Sequence, residues 1–540
     1  MSSDRTNHEQ PVVPTTDRRT STAVEHCNRL TWNHCEQTGL SSPLKNSLWL
    51  RTVEIGQLGV AMSSSVLRSP IAAPKNLSNL RHCGFHPDGI IVIQFQTELT
   101  PHKLPRPCTM RFALLFAVAL TTLTVVANAS AADAARPNVL LVMADDVGVD
   151  AIGCYGGESY PTPNIDGLAG SGMRFEHCYS MPSCHPTRIA LMTGRYPRRL
   201  GNPRWGSFPK NEEQHSIGAV VKRAGYVTAV AGKWQIAMLG EELQQPHRMG
   251  FDHYSLFGWH EGPRYHQPLI WENGKRREDV ADRFGPDVYC DVLIEFMKQN
   301  RAKPFFAYFP MALCHDVTDD LKEPVPYGPH GRYESYGEMM AHMDRVIGRL
   351  LAGLDELGLR EKTLVLFTGD NGTAMKSIIR AENGKYIRDP VFSVYKGNKI
   401  QGGKTKLTDG GTHVPLIASW KGVIQPGRVV GDLADFSDFL PTIAELAGAA
   451  LPDGVTLDGR SFATRLTDNE PAPRRWAYAE ARGKHWVRTQ RWKLYNNGKL
   501  FDVGEDPFER NPFDVGDPPA AAMSALKILL PAHEKVASFE

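Results

Sequence analysis

The stretch NVLLVMADD, residues 138–146, decides the fold. Its first seven residues form a nearly continuous apolar run without alternation, which is how a strand reads when a mostly parallel sheet is covered on both faces. The runs YVTAVA (226–231), PFFAYFP (304–310), TLVLFT (363–368) and VPLIASW (414–420) repeat that pattern, and longer amphipathic segments separate them. The clearest of these, residues 336–357, places Met339, Met343, Ile347, Leu350, Leu354 and Leu357 at spacings of three and four, with Gly358 positioned to stop the helix. Strand and helix in alternation predict an α/β sandwich around a central, mostly parallel sheet. Toward the end, WVRTQRWKLYNNGKLFDV (486–503) alternates and carries an Asn497-Gly498 turn, which predicts a hairpin within a small β-rich C-terminal subdomain at 470–540. The main α/β domain is then expected over residues 132–469.

Upstream of the first strand the sequence changes character. Met110 and Arg111 precede a 15-residue apolar run, FALLFAVALTTLTVV (112–126), and then ANASAADAA, with small residues where signal peptidase cuts. Residues 110–131 are therefore expected to be a secretory signal peptide, cleaved after Ala129 or Ala131. The run is short for a membrane span, and small residues follow where a stop-transfer segment would carry Lys or Arg, so no stable membrane anchor is expected. Residues 1–109 scatter Pro, Ser and Arg without a sustained period, and read as disordered or spurious sequence ahead of a start at Met110. The expected location is secreted or periplasmic. Five cysteines remain after Met110: Cys154, Cys178, Cys184, Cys290 and Cys314. An odd number in an exported protein leaves one with another fate, and the other four are open to two disulfides or to buried thiols. With a formal net charge of +2 over 540 residues, no nucleic-acid or polyanion partner follows from the charge balance.

Ligands of such sheets bind outside the carboxyl ends of the strands. There the sequence places Asp145-Asp146, Gly232-Lys233, Cys314-His315 and Asp370-Asn371. The acidic pairs and the asparagine offer only oxygen ligands, which suit a hard cation such as Ca²⁺ or Mg²⁺ better than zinc. One such pair could equally cap the next helix; two pairs at two strand ends favour a metal. Lys233 and Lys404 would add the positive charge that an oxyanion needs. In YSMPSCHPTRIALMTGRYPRR (179–199), Pro186 fits the first turn of a helix, so Cys184 falls at a helix N-terminus, where free N–H groups favour anions. Cys184 reads as a thiolate nucleophile, as the precursor of another group, or as a buried structural thiol.

Cys184-His185-Pro186-Thr187-Arg188, followed by IALMTGRYP, resembles the C-x-P-x-R signature of type I sulfatases. RPNVLLVMADDVG, VVKRAGYVTAVAGKW, LVLFTGDNGT and GGKTKLTDGGTHVPLI resemble further blocks of that family, in family order, and the likeness spans 136–510. The resemblance implies an alkaline-phosphatase-like α/β fold with a small C-terminal domain, and hydrolysis of carbohydrate or aryl sulfate esters. It implies that a formylglycine-generating maturation enzyme oxidises Cys184 to Cα-formylglycine. One hydroxyl of the hydrated aldehyde would attack sulfur, and the other would drive out sulfate as the aldehyde reforms. Position by position, it implies Ca²⁺, ahead of Mg²⁺, held by Asp145, Asp146, Asp370, Asn371 and the modified Cys184. Arg188 would hold the hydrate, Lys233 and Lys404 would bind sulfate, and His315 would contact sulfate and protonate the leaving oxygen.

One block departs from the family. Its usual lysine-tryptophan-histidine appears as Lys233-Trp234-Gln235, and the Gln235 amide can hydrogen bond to substrate but cannot accept a proton. Either His185 or His413 would then serve as the base, or turnover would be slow; His413, standing where an arginine is common, is expected behind the ligating residues. FDHYSLFGWHEGPRYHQPLIW (251–271) reads either as a packed loop or as a subsite in which Trp259, His260 and Tyr265 stack on a sugar or arene. Two other functions compete: a phosphatase or phosphodiesterase on the same scaffold, and a sulfated-glycan binding protein that has lost turnover, which Gln235 motivates.

Overall fold

β1 (Asn138–Ala144) runs through the middle of a ten-stranded sheet because both of its faces are covered. Leu140, Val142 and Ala144 belong to one apolar core, with Met297, Met343 and Ile347; Val139, Leu141 and Met143 belong to the other, with Ile189, Leu191 and Ile443. A strand serving two cores has no polar side to alternate with. The computed structural model describes residues 136–258, 261–316, 333, 335–382 and 385–539. Residues 1–109, the segment 110–131 expected to be a signal peptide, Trp259 and His260 lie outside the described residues.

The sheet continues with β2 (Met173–Tyr179), β3 (Val227–Lys233), β4 (His253–Phe257), β5 (Trp271–Glu272), β6 (Lys275–Arg276), β7 (Phe305–Pro310) and β8 (Thr363–Gly369). Two small hairpins follow, β9 (Lys376–Glu382) with β10 (Lys385–Pro390) and β11 (Phe392–Tyr395) with β12 (Asn398–Gln401). β13 (Leu416–Ser419) and β14 (Arg428–Asp435) complete it, in the spatial order β14-β2-β13-β8-β1-β7-β3-β4-β5-β6. β1 lies parallel to β7 and β8, and β3 lies parallel to β7 and β4. β13 is shorter than its 414–420 run and antiparallel to both neighbours, β8 and β2. The chain reaches it from the loop at the carboxyl edge rather than through a crossover helix, so it must run back down the sheet.

The described helices of eight residues or more are α1 (Pro163–Gly170), α2 (Cys184–Thr193), α3 (Gly285–Gln299), α4 (Tyr336–Glu356), α5 (Phe439–Ala447) and α6 (Met523–Ala537). α3 and α4 cover one face of the sheet, and α2 and α5 the other. α4 starts where Ser335 Oγ accepts from Glu338 N at 3.2 Å and is followed by Gly358 at φ +66°, as its sequence pattern predicts.

The C-terminal sheet is antiparallel: β15 (Ala477–Ala481), β16 (Lys484–Arg488), β17 (Trp492–Tyr495), β18 (Lys499–Asp502) and β19 (Phe513–Asp514). The Asn497-Gly498 turn joins β17 to β18 as expected, but the preceding segment also folds back on itself. Trp492 N donates to Thr489 Oγ1 (3.1 Å) and Thr489 N to Trp492 O (2.9 Å), so the predicted hairpin is three strands. α6, which the sequence pattern did not announce, packs Leu526 and Leu529 against Trp486 and Tyr478. Cys154, Cys178, Cys184, Cys290 and Cys314 are all free thiols.

Two buried polar clusters join the sheets. Arg474 pairs through Nη1 with Asp435 Oδ2 (2.9 Å) and donates from Nη1 to Tyr196 OH (3.0 Å) and from Nε to Asp438 Oδ2 (2.6 Å). On another side, His413 packs against Tyr179 and His177, with Trp486 edge-on to Tyr179 and the Arg488 guanidinium 4.1 Å from the Tyr179 ring centre.

Replacing Arg474 by Met strands two buried carboxylates, and a loss of about 3–5 kcal/mol is expected in urea unfolding. A loss below about 1 kcal/mol would show that the pair is not buried against that guanidinium. Burial, with Arg488 beside it, pushes His177 down to about 3; burial also pushes His413 down to about 4, against Asp409, which favours its charged form. Both rings are neutral in the folded chain and take up protons near 6.5 when it unfolds, so stability is present above about pH 6.5 and is lost as pH falls toward 4. His413→Gln is expected to flatten that acid limb in melting curves; an unchanged slope would contradict it.

Candidate active site

The carboxyl edge of the parallel strands brings the predicted residues together. Asp145 and Asp146 follow β1, Lys233 ends β3, His315 follows β7, Asp370 and Asn371 follow β8, Cys184 opens α2, and Lys404 follows β12. Backbone ties fix these ends. Asp145 N donates to Leu313 O (2.8 Å), Cys314 N to Asp145 O (2.6 Å), Asp370 N to Ala144 O (2.9 Å) and Thr405 N to Pro182 O (2.7 Å). Two passages are too narrow for a side chain. A Cβ at Gly232, whose φ is +125°, would lie 2.0 Å from Pro310 O, and one at Gly372 would lie 1.9 Å from Gly410 O.

The acidic and basic side chains interlock. Lys233 Nζ meets Asp145 Oδ2 at 2.5 Å, and Lys404 Nζ reaches Asp146 Oδ1 at 2.6 Å and Oδ2 at 2.7 Å. Arg188 donates from Nη2 to Asp370 Oδ2 (2.8 Å) and from Nη1 to the Lys233 carbonyl (3.0 Å). Asp146 N donates to Asp370 Oδ1 (3.1 Å), and Asn371 Nδ2 donates to Asp146 Oδ1 (2.9 Å). Burial alone would raise Asp145, yet Lys233, then His315, Lys404 and Arg188, hold its carboxyl well below the usual range. Asp370 is pushed up to about 7, by burial and then by Asp145, and Arg188 and Lys233 only partly offset that. Burial opposes the charge on Lys404, but Asp146, Cys184 and Asp145 hold it firmly protonated.

Ligand atoms of Asp145, Cys184 and Asp370 all lie within 4.8 Å of one another. Asp145 Oδ1 and Asn371 Oδ1 are buried without hydrogen-bond partners, and a buried orphan oxygen is costly unless something coordinates it. Two orphan oxygens, one of a carboxylate and one of an amide, beside the Asp370 carboxylate fit a hard divalent cation. Gln235, in a left-handed conformation at φ +61°, donates from Nε2 to Cys184 Sγ at 3.3 Å, and its Oε1 is a further partnerless acceptor.

The two histidines weighed as replacement bases stand elsewhere. His185 Nε2 meets the Ser207 carbonyl at 2.9 Å, and burial pushes the ring down to about 4. His413 Nε2 meets the Glu176 carbonyl at 2.8 Å within the aromatic cluster. Among the described residues, neither ring is hydrogen bonded to a site residue. Tyr265 is not a stacking platform: its ring is buried against Tyr333, and its hydroxyl donates to the Ala312 and His315 carbonyls.

The sequence reading passed over Arg264 and Tyr336. The buried Arg264 lies with Nη1 3.2 Å from His315 Nδ1. Arginine can only donate, so in that contact Nδ1 accepts and a neutral His315 carries its proton on Nε2. Asp316 Oδ1 stands 3.4 Å from the same Nδ1. Tyr336, at the start of α4, donates its hydroxyl to the Asp146 carbonyl at 2.8 Å. No spacing announced the arginine; the tyrosine lay within the predicted helix.

Comparisons with known proteins identify the family. The Sulfatase family model matches residues 137–449. Arylsulfatase A of Homo sapiens is 31% identical over 414 residues, 68% of this chain and 76% of the relative. The N-acetylgalactosamine-6-sulfatase of Canis lupus familiaris is 30% identical over a similar length, 68% of this chain and 76% of its own. Among solved structures, the PsFucS1 sulfatase from Pseudoalteromonas sp. superposes with a TM-score of 0.60 at 26% identity, covering 81% of this chain and 95% of that one. Ps i-CgsB superposes with a TM-score of 0.59 at 25% identity, covering 75% and 93%. With more than half of its length matched by one family model, this chain belongs to the sulfatases of the alkaline-phosphatase-like superfamily and is a sulfuric ester hydrolase.

Proposed function

We propose that the chain hydrolyses sulfate esters of carbohydrates through a Cα-formylglycine made from Cys184, with Ca²⁺ held by Asp145, Asp146, Asp370, Asn371 and residue 184. The observation that carries this reading is the convergence of Cys184 and Asp370 with the orphan oxygens of Asp145 and Asn371 in one buried, lysine-flanked site. The hydrated aldehyde would supply one hydroxyl for attack on sulfur and a second for release of sulfate. Ca²⁺ would offset negative charge there.

The chain's own residues do the rest. Three carboxylates and three cations, Lys233, Lys404 and Arg188, share the site, so a divalent cation would bring the surplus positive charge that an anionic ester needs. Arg188, bound to Asp370 and to the Lys233 carbonyl, orients residue 184 from the same helix. Lys233 and Lys404 face the sulfate, and His315 donates a hydrogen bond from Nε2 to the bridging oxygen. Gln235 donates to residue 184 but cannot take a proton from it. A carbohydrate substrate is supported by Ps i-CgsB, which has also been crystallised with k-i-k-neocarrahexaose. Export through residues 110–131, a catalytic domain over 132–469, a C-terminal subdomain at 470–540 and a maturation enzyme belong to the same proposal. No helix among the described residues is long and apolar enough to cross a membrane.

Chelation tests the metal. Thorough EDTA treatment is expected to abolish sulfate release from sulfated oligosaccharides, with recovery on Ca²⁺ rather than Mg²⁺, and peptide mass spectrometry of residues 175–188 is expected to show an aldehyde at position 184. An unmodified thiol in an active preparation, or full activity after chelation, sinks the reading; an unmodified thiol with no turnover favours the sulfated-glycan binding protein. Gln235→His is expected to raise kcat, by up to the ~10²–10⁴ that a positioned acid–base group supplies, with little change in KM. An unchanged kcat would mean that another group already serves.

A further inference from the structure

The overall charge balance hides a local excess of positive charge. A groove of about 410 Å³ lies between the segment 458–476 and α6, and Arg460, Arg475, Lys527 and Lys535 line it. All four are exposed, and none is in an ion pair among the described residues. The acid in the groove wall, Asp458, is already held by the Arg199 guanidinium at 2.6 to 3.1 Å and by Tyr196 N at 2.9 Å. It therefore cannot neutralise its neighbours. Trp476 forms part of the same wall, half-buried, with Lys535 Nζ 5.9 Å from its ring centre. Lys527, Pro531 and Lys535 follow one another at intervals of four along α6, so they form one stripe of that helix facing the groove.

The groove stands apart from the active site. Asp458 N and Gly459 N donate to the Gly194 carbonyl at 3.0 and 3.1 Å, at the end of α2 opposite Cys184. Ten residues of helix put the two ends about 15 Å apart. A sulfate seated in the groove is therefore not the one being cleaved.

We infer that this groove is a second binding site for a sulfated polysaccharide, which anchors the polymer while its ester groups are presented to the active site. Four uncompensated cations match a chain of sulfate groups, and a tryptophan face matches the apolar face of a sugar ring. The ligand class rests on the reading of the active site given above; the groove does not.

Affinity electrophoresis of the full chain through gels holding carrageenan or agarose, its neutral counterpart, tests the inference. Retardation by carrageenan alone is expected, and its absence overturns the proposal. The combined R460Q/R475Q/K527Q/K535Q variant is expected to weaken carrageenan binding by about tenfold or more, the product of four exposed charge contacts. Turnover of a small aryl sulfate is expected to stay within about twofold, since none of the four touches the active site. The K298Q/K303Q/K362Q/K421Q variant, with the same change in net charge, is expected to bind as the wild type does. Equal loss in both variants, or none in the first, overturns the site. Trp476→Ala is expected to weaken binding severalfold without any change in charge, and unaltered binding removes the sugar-stacking argument. Single-stranded RNA retarding the chain more strongly than carrageenan overturns the ligand class. Binding is read without turnover, so an inactive chain would refute the proposed function and leave this groove standing.

Discussion

Three carboxylates and three cations occupy one buried volume at the end of β1, and neither set is tolerable there without the other. Asp145, Asp370, Asn371, Arg188 and Lys233 are all essentially inaccessible to water. Each charge is met by a partner from a different element: strand end against strand end, helix against loop. The surrounding fold can be understood as the framework that keeps these partners in register. The backbone ties from Asp145 to Leu313 and Cys314, and from Asp370 to Ala144, lock the strand ends before any side chain is considered.

The C-terminal sheet takes part in the same framework. Trp486 Nε1, Lys493 Nζ and Tyr495 OH all donate to the Leu407 carbonyl, at 2.7, 3.0 and 3.1 Å. Lys493, wholly buried, also bridges Asp409 and Glu509, and Arg488 pairs with Asp409 through Nη1. Leu407 and Asp409 lie three and five residues beyond Lys404. A small sheet that contributes no residue to the candidate site thus holds the loop carrying one of its lysines. That gives the C-terminal subdomain a mechanical reason to be attached where it is.

What was legible in the sequence was local. A strand buried on both faces must be apolar throughout, so five runs located the sheet, and the residues that follow them located the site. Cys184 at a helix start followed from Pro186 two positions on. The failures have a different physical origin. Arg264 reaches His315 across 51 positions and Arg474 reaches Asp438 across 36, and such contacts leave no periodicity. Tyr265 was left open between packed loop and subsite because an aromatic residue looks the same whether it faces a ligand or a core; its hydroxyl partners, the Ala312 and His315 carbonyls, tell them apart. The reversal of β13 depends on which edge the chain enters from, and the fold-back at Thr489 uses a threonine side chain in place of the usual turn residues.

The seat of Cys184 also bears on the conversion proposed for it. Its side chain is 6% exposed, the Gln235 amide lies against the sulfur, and the first turn of α2 is pinned by Thr187 Oγ1 to the Met181 and Ser183 carbonyls. An enzyme acting on this thiol would need it uncovered, which the docked helix does not offer. Were Cys184 converted as proposed, the change would have to precede the docking of this helix, and a chain that folded first would keep its thiol covered. The more stable the folded chain, the less often it would reopen to expose that thiol.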